Sequence, residues 1–332
     1  MMQPDFLNLG MIFVFGIFCI SLSFMGCAPN FAVPPVKEAQ IYIQVYDEET
    51  YFPSIYSVNP TTFATEKIIQ LPLIYEHEPN RLEASFEHGN LMAILPDQSL
   101  LMNLPRVEYE IGKDTEASGY DYLKINPDGT VYNLFPTASS NIYFYQMSSN
   151  ARAAIGIDMD TYEYGEAVQF YTYNLSPSGF ELVSAIPYGC EPEYQSTSAL
   201  HPQGDLYACE IEDDDKIKVY SLTGEQRYSL SLGDIWLFEL KWASEGQVLV
   251  FEGFGNEGRE FHRYDFDSGA ESIFSWRVTD WVISCDGWTL YAFDSNTHDL
   301  LTYKIKENQH FRNAISLKQG MITKAMFGPC PN

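Results

Sequence analysis

Ile283-Ser-Cys-Asp-Gly287, running straight into Trp288-Thr-Leu-Tyr-Ala-Phe-Asp294, couples a turn signature to an alternating β-run. The same coupling occurs twice upstream. Leu200-His-Pro-Gln-Gly204 precedes Asp205-Leu-Tyr-Ala-Cys-Glu-Ile211, and Trp242-Ala-Ser-Glu-Gly246 precedes Gln247-Val-Leu-Val-Phe-Glu252. The three glycines lie 42 and 41 positions apart. Each of these runs gives way to a polar loop and a third run, at Lys216–Ser221, Glu260–Phe266 and Asp299–Ile305. A turn with Gly or Asn then leads to a fourth run, at Gln226–Leu232, Ala270–Trp276 and Phe311–Leu317. Alternation with period two, rich in β-branched and aromatic residues, reads as strand. Four short strands in a repeat near 42 residues read as a β-propeller blade.

Working outward, residues 141–187 hold four further runs, and residues 82–136 hold another blade with an insertion near 96–118. Residues 41–72 hold only three runs, Ile41–Asp47, Phe52–Val58 and Glu66–Leu71. The missing strand is supplied by the tail beginning at Met321, which predicts that the C-terminus completes the N-terminal blade. Closure of that kind removes free sheet edges. The expected architecture is therefore all-β, a six-bladed propeller over residues 41–332. The alternative of seven blades needs two from residues 82–136, which are too few, and a β-sandwich would leave the repeat spacing to accident.

Composition agrees with a folded all-β chain. Of the 332 residues, 45% are hydrophobic, 15% aromatic and only 19% charged, which is not the balance of a disordered protein. Nineteen Lys and Arg against 45 Asp and Glu leave a formal charge of −26. Nucleic-acid binding, which depends on a basic face that releases counterions, is excluded as a function class.

Two resemblances extend this reading. Ser284-Cys-Asp-Gly-Trp-Thr-Leu-Tyr-Ala-Phe-Asp-Ser-Asn296 resembles the "SPDG…LYV.N" phrase of WD-repeat-like propellers of the TolB and YVTN types, with Cys285 in the Pro place. His201-Pro-Gln-Gly-Asp-Leu-Tyr-Ala208 is a second instance. That resemblance implies a fold and no particular reaction. At the N-terminus, the apolar run Leu9–Met25 followed by Gly26-Cys27 resembles a bacterial lipoprotein signal. It implies removal of residues 1–26, a lipid on Cys27, and a Pro-containing tether over 27–40. An ordinary cleaved signal and an uncleaved anchor are the alternatives. All three place residues 41–332 in the cell envelope, outside the cytoplasm.

Apart from Cys27, four cysteines follow the leader, an even number in an oxidising compartment. On a propeller, Cys285 and Cys330 fall in first-to-second turns of adjoining blades, while Cys190 and Cys209 belong to one blade. The expected disulfides are Cys190–Cys209 and Cys285–Cys330, with four free buried thiols as the alternative. Acidic residues crowd the second-to-third loops, which hold 19 of the 45. Asp47, Glu48, Glu49, Asp158, Asp160, Glu163, Asp213, Asp214 and Asp215 are the candidate binding face, suited to cations or basic peptides. Solvated loops that keep the chain soluble are the plainer reading.

No motif names a reaction. Gly253-Phe-Gly255-Asn-Glu-Gly258 spells GxGxxG, but the next residues alternate as a strand and do not open a helix, so it reads as a hairpin loop. Asp213-Asp214-Asp215 lacks the grammar of a calcium loop, leaving no cofactor expected and Ca²⁺ as the alternative. The six histidines show no HExxH, and there is no nucleophile elbow or P-loop. The expected function is a non-catalytic, membrane-tethered binding or assembly module, monomeric, taking a protein or cationic partner of the envelope. The alternative is a hydrolase or lyase on a sugar-type or lactone substrate, with a metal at the axial mouth. An enzyme needs several acids or histidines converging on one concave site; a binding module needs only a surface.

Overall fold

The alternating runs become antiparallel sheets. The computed structural model describes residues 39–46, 53–70, 76–77, 82–83, 90–107, 117–134, 142–158, 169–176, 179–187, 190, 198–211, 215–243, 246–255, 258–278, 280–294, 296–315, 317, 321–328 and 330, all within the unit Val36–Asn332. Among the described residues there are strands and no helix. Blade I opens with β1 (Ile41–Tyr46), β2 (Pro53–Val58) and β3 (Thr65–Gln70). A two-stranded hairpin follows, β4 (Glu76–His77) with β5 (Leu82–Glu83). Blade II is β6 (Asn90–Ile94), β7 (Leu100–Val107), β8 (Ala117–Ile125) and β9 (Val131–Asn133). Blade III is β10 (Ile142–Met147), β11 (Ala153–Asp158), β12 (Phe170–Ser176) and β13 (Gly179–Ala185). Blade IV is β14 (Ser198–Leu200), β15 (Leu206–Ile211), β16 (Lys216–Ser221) and β17 (Gln226–Ser231). Blade V is β18 (Trp236–Trp242), β19 (Val248–Gly255), β20 (Gly258–Asp265) and β21 (Glu271–Phe274). Blade VI is β22 (Val282–Ile283), β23 (Thr289–Phe293), β24 (Leu300–Lys304) and β25 (Gln309–Asn313).

The chain then returns as β26 (Met321–Phe327), which pairs antiparallel with β1 from Ile41↔Phe327 to Tyr46↔Met321. Blade I thus has the order β26-β1-β2-β3, and the six four-stranded sheets form a closed ring. Two details of the sequence reading change. Residues 82–83 belong to the β4–β5 hairpin, so blade II begins at Asn90. Residues 96–107, read as part of an insertion, are the β6–β7 turn and β7 itself, which pairs with both neighbours. Leu100, Leu101 and Met102 bury both faces of that strand, which ties it to the ring.

The core lies between blades, one apolar cluster at each interface. In β19, Val248 and Val250 turn toward blade VI while Leu249 and Phe251 turn toward blade IV. Second strands are therefore buried on both faces, as in β11 and β19, while the outermost β17 and β25 are largely exposed. The blade I–VI interface is built the same way, from Ile41, Ile43 and Val45 with Val282, Phe293 and Leu300.

The turn glycines explain the repeat. Gly204, Gly246 and Gly287 each adopt positive φ and donate a backbone N–H to the carbonyl three residues back, at 2.8, 2.8 and 3.0 Å. Each also presses on the preceding blade: a Cβ on Gly246 would lie 2.1 Å from the His201 ring, and one on Gly287 would lie 2.7 Å from Val248. Blades II and III make the same turn with Gln98 (φ 65°) and Ala151 (φ 52°), residues that pay the left-handed strain themselves.

Candidate functional site

The innermost strands β26, β6, β10, β14, β18 and β22 surround an axial channel of about 500 Å³. Four of them carry a β-bulge against their second strand, leaving Met92, Tyr145, Phe238 and Thr323 as the extra residues. A bulge twists a strand and re-aims its side chains. Met92, Tyr145 and Thr323 duly line the channel. Gly156 permits one such kink, since a Cβ there would lie 2.6 Å from the Tyr143 carbonyl oxygen and 2.7 Å from the Phe144 ring.

Polar side chains tie neighbouring inner strands together. Gln146 donates from Nε2 to the Ser198 carbonyl at 2.7 Å and accepts from Leu200 N–H at 2.8 Å. Trp242 donates from Nε1 to the Ala199 carbonyl at 3.0 Å. Tyr122, buried behind β10, donates to the Ile142 carbonyl at 2.9 Å and accepts from Phe144 N–H at 2.8 Å.

The channel's charges gather where blades V and VI meet. Lys241 Nζ lies 2.8 Å from Glu239 Oε1, donates to the Trp281 carbonyl, and sits 4.7 Å from the centroid of the Trp281 ring. Trp281 in turn donates from Nε1 to Glu252 Oε2 at 3.0 Å. Glu252 is only 1% exposed, and its other oxygen pairs with Arg259. A carboxylate so deeply buried is tolerable because one oxygen accepts the indole N–H and the other faces the Arg259 cation. Desolvation lowers the Arg259 pKa, and Glu239 partly offsets it. On blade I, Lys324 also lines the channel; burial first, then the charge of Lys241, pushes its pKa down to about 8. Neither lysine stood out in the sequence. For Lys324 the available signal was its place in the tail read as the missing strand of blade I, a strand that faces the axis.

Beside the channel, the start of β18 presents apolar surface. Trp236 is 72% exposed and Phe254, its register partner on β19, 52%; Trp236 and Phe238 pack with ring centroids 5.6 Å apart.

Of the expected binding face, Asp158 ends β11 half-buried, and Asp215 stands exposed at positive φ just before β16. Asp47, Glu48, Glu49, Asp160, Glu163, Asp213 and Asp214 lie outside the described residues, as does Cys27. Three other acids of the second-to-third loops are already engaged. Glu260 lies 3.2 Å from His262 Nε2, and Asp294 and Asp299 both pair with Arg312, the latter at 2.9 Å. Among the described residues, no three His, Cys, Asp or Glu side chains gather as metal ligands. The GxGxxG stretch is the β19–β20 hairpin, with Gly255 paired to Gly258. Cys190 is bonded to Cys209 and Cys285 to Cys330, with Cα–Cα distances of 5.4 and 5.8 Å. The second bond fastens the end of β26 to the β22–β23 turn.

No family model matches this chain, and no curated protein matches it in sequence. Solved structures do resemble it. TolB from Acinetobacter baumannii aligns with a TM-score of 0.57 at 11% identity, over 88% of this chain and 67% of that one. A putative TolB from Agrobacterium tumefaciens aligns at 0.49 and 12% identity, over 86% and 92%. A putative 6-phosphogluconolactonase from Bacteroides fragilis aligns at 0.47 and 10% identity, over 87% and 98%. Likeness at such identities is one of fold, and folds of this kind carry binding proteins and enzymes alike. The chain is a six-bladed, all-β propeller with TolB-like structural neighbours.

Proposed function

We propose that this chain is a non-catalytic binding module of the cell envelope, tethered through Cys27, that docks a protein partner on the face bearing its second-to-third loops. The observation that carries this reading is the exposed cluster of Trp236, Phe238 and Phe254 at the start of a channel-lining strand. Large aromatic side chains held out on rigid strands are the usual anchors of protein interfaces, and contiguous exposed apolar surface marks such sites. The loops on that face carry the acidic residues counted in the sequence, which favours a partner whose contact surface joins basic groups to an apolar anchor. The two disulfides support an oxidising, extracytoplasmic compartment.

A photo-crosslinking residue at position 238 tests the reading in envelope extract. The expected result is one cross-linked protein with a basic contact surface, lost in a Trp236→Ala/Phe254→Ala variant and weakened by salt. Undiminished capture by that variant, or docking indifferent to salt, overturns the assignment. Stoichiometric metal in the purified protein, found by elemental analysis, would instead favour a hydrolase or lyase with an axial metal.

A further inference from the structure

The axial channel holds a cation that no described residue neutralises. Lys241 is already engaged by Glu239, by the Trp281 carbonyl and by the Trp281 ring. Lys324 has no such set: among the described residues no hydrogen bond or ion pair reaches its ammonium. The bulge at Thr323 places it beside the channel, opposite Gln44 in register. An ammonium in a walled cavity is costly unless something pairs with it. This chain has 45 carboxylates, yet none of the described ones lies within ion-pair distance of Lys324. Of the two acids lining the channel, Glu239 is committed to Lys241, and Asp280 stands exposed and forms no ion pair with Lys324.

We propose that the channel binds a small organic anion, a carboxylate or phosphate monoester on an apolar or ring-shaped body, with Lys324 as its charge contact. A volume of about 500 Å³ suits a ligand of that size. Met92, Tyr145, Met326 and Phe327 wall the space that the body would fill. The anion would offset both the desolvation of Lys324 and its repulsion from Lys241, the two causes that depress its pKa. The inference rests on the channel alone and is independent of the docking face.

Titration calorimetry on the full chain tests it with phenyl phosphate and benzoate against their neutral counterparts, phenol and benzyl alcohol. The anions are expected to bind and the neutral compounds not. Lys324→Met should weaken phenyl phosphate by about tenfold or more, the scale of one lost charged contact. Wild-type affinity should fall as pH rises through about 8, where free Lys324 loses its proton. The other charged and titratable groups facing it are Glu239 and Lys241, which pair with each other, Asp280, and the Tyr143 hydroxyl, whose pKa burial pushes up. Equal binding of anions and neutral compounds, wild-type affinity in Lys324→Met, or no binding by any of the four at millimolar concentration overturns the proposal. Should Lys324→Met fail to fold, ¹³C-lysine NMR of the wild type decides. Saturating phenyl phosphate must raise the Lys324 pKa, and an unmoved titration refutes the site.

Discussion

Replacing Cys285 and Cys330 by serine should loosen the ring at its seam. β26 is the innermost strand of blade I and, among the described strands, is paired with β1 alone. The Cys285–Cys330 bond spans 45 positions, and loop-closure entropy for that separation gives a stabilisation of about 4 kcal/mol. The Cys190–Cys209 bond spans 19 positions, and the same reasoning gives about 3 kcal/mol. The smaller loop also lies within one blade and guards no seam. Urea denaturation of the two double-serine variants should rank them in that order. Amide hydrogen exchange should then show β1 and β26 opening before β19 and β20, since an unlocked β26 can leave while blade V remains packed on both sides. If β1 and β26 stay as protected as blade V, and the Cys285/Cys330 variant loses no more stability than the Cys190/Cys209 variant, the seam argument fails.

Other consequences follow from single contacts. Gly156→Ala forces a methyl against the Tyr143 carbonyl and the Phe144 ring and should cost about 1–3 kcal/mol in denaturation experiments. Tyr122→Phe leaves the Ile142 carbonyl and Phe144 N–H without their shared buried partner, for a loss of about 1–3 kcal/mol by the same assay. The folded-state pKa of Lys324 lies near 8, below its ordinary 10.5, so the unfolded chain binds more protons between those values and stability rises with pH across that window. Lys324→Met should therefore flatten that rise relative to wild type, as read from denaturation midpoints between pH 7 and 10. Trp236→Ala/Phe254→Ala should change stability by no more than about 0.5 kcal/mol per site, because both side chains are exposed, so any loss of partner binding reports the surface and not the fold.

The blades most legible in the sequence were those whose first-to-second turn uses glycine. Gly204, Gly246 and Gly287 serve twice, taking positive φ and leaving room for the preceding blade, so a repeat appears at those positions. Gln98 and Ala151 occupy the same backbone conformation without glycine, and that hid the matching turns of blades II and III. It also let residues 96–107 pass for an insertion. The β4–β5 hairpin has two residues per strand, too few for alternation to register. Of the site, the acidic loops were visible as composition. That Glu260 is held by His262 two residues along β20, and Asp294 and Asp299 by Arg312 of β25, was not, because composition does not say which side chains meet.

Local patterning alone determined the strands, their grouping in fours and the tail's return to the first blade, because period-two alternation and turn chemistry act over a few residues. Tertiary structure decided which charges share the axis. Glu239 and Lys241 belong to blade V, Asp280 leads into blade VI and Lys324 belongs to blade I, and only closure of the ring brings them to one channel. Whether a lysine there is paired or unpaired depends on groups far away in the chain, and a short stretch of sequence carries no record of them.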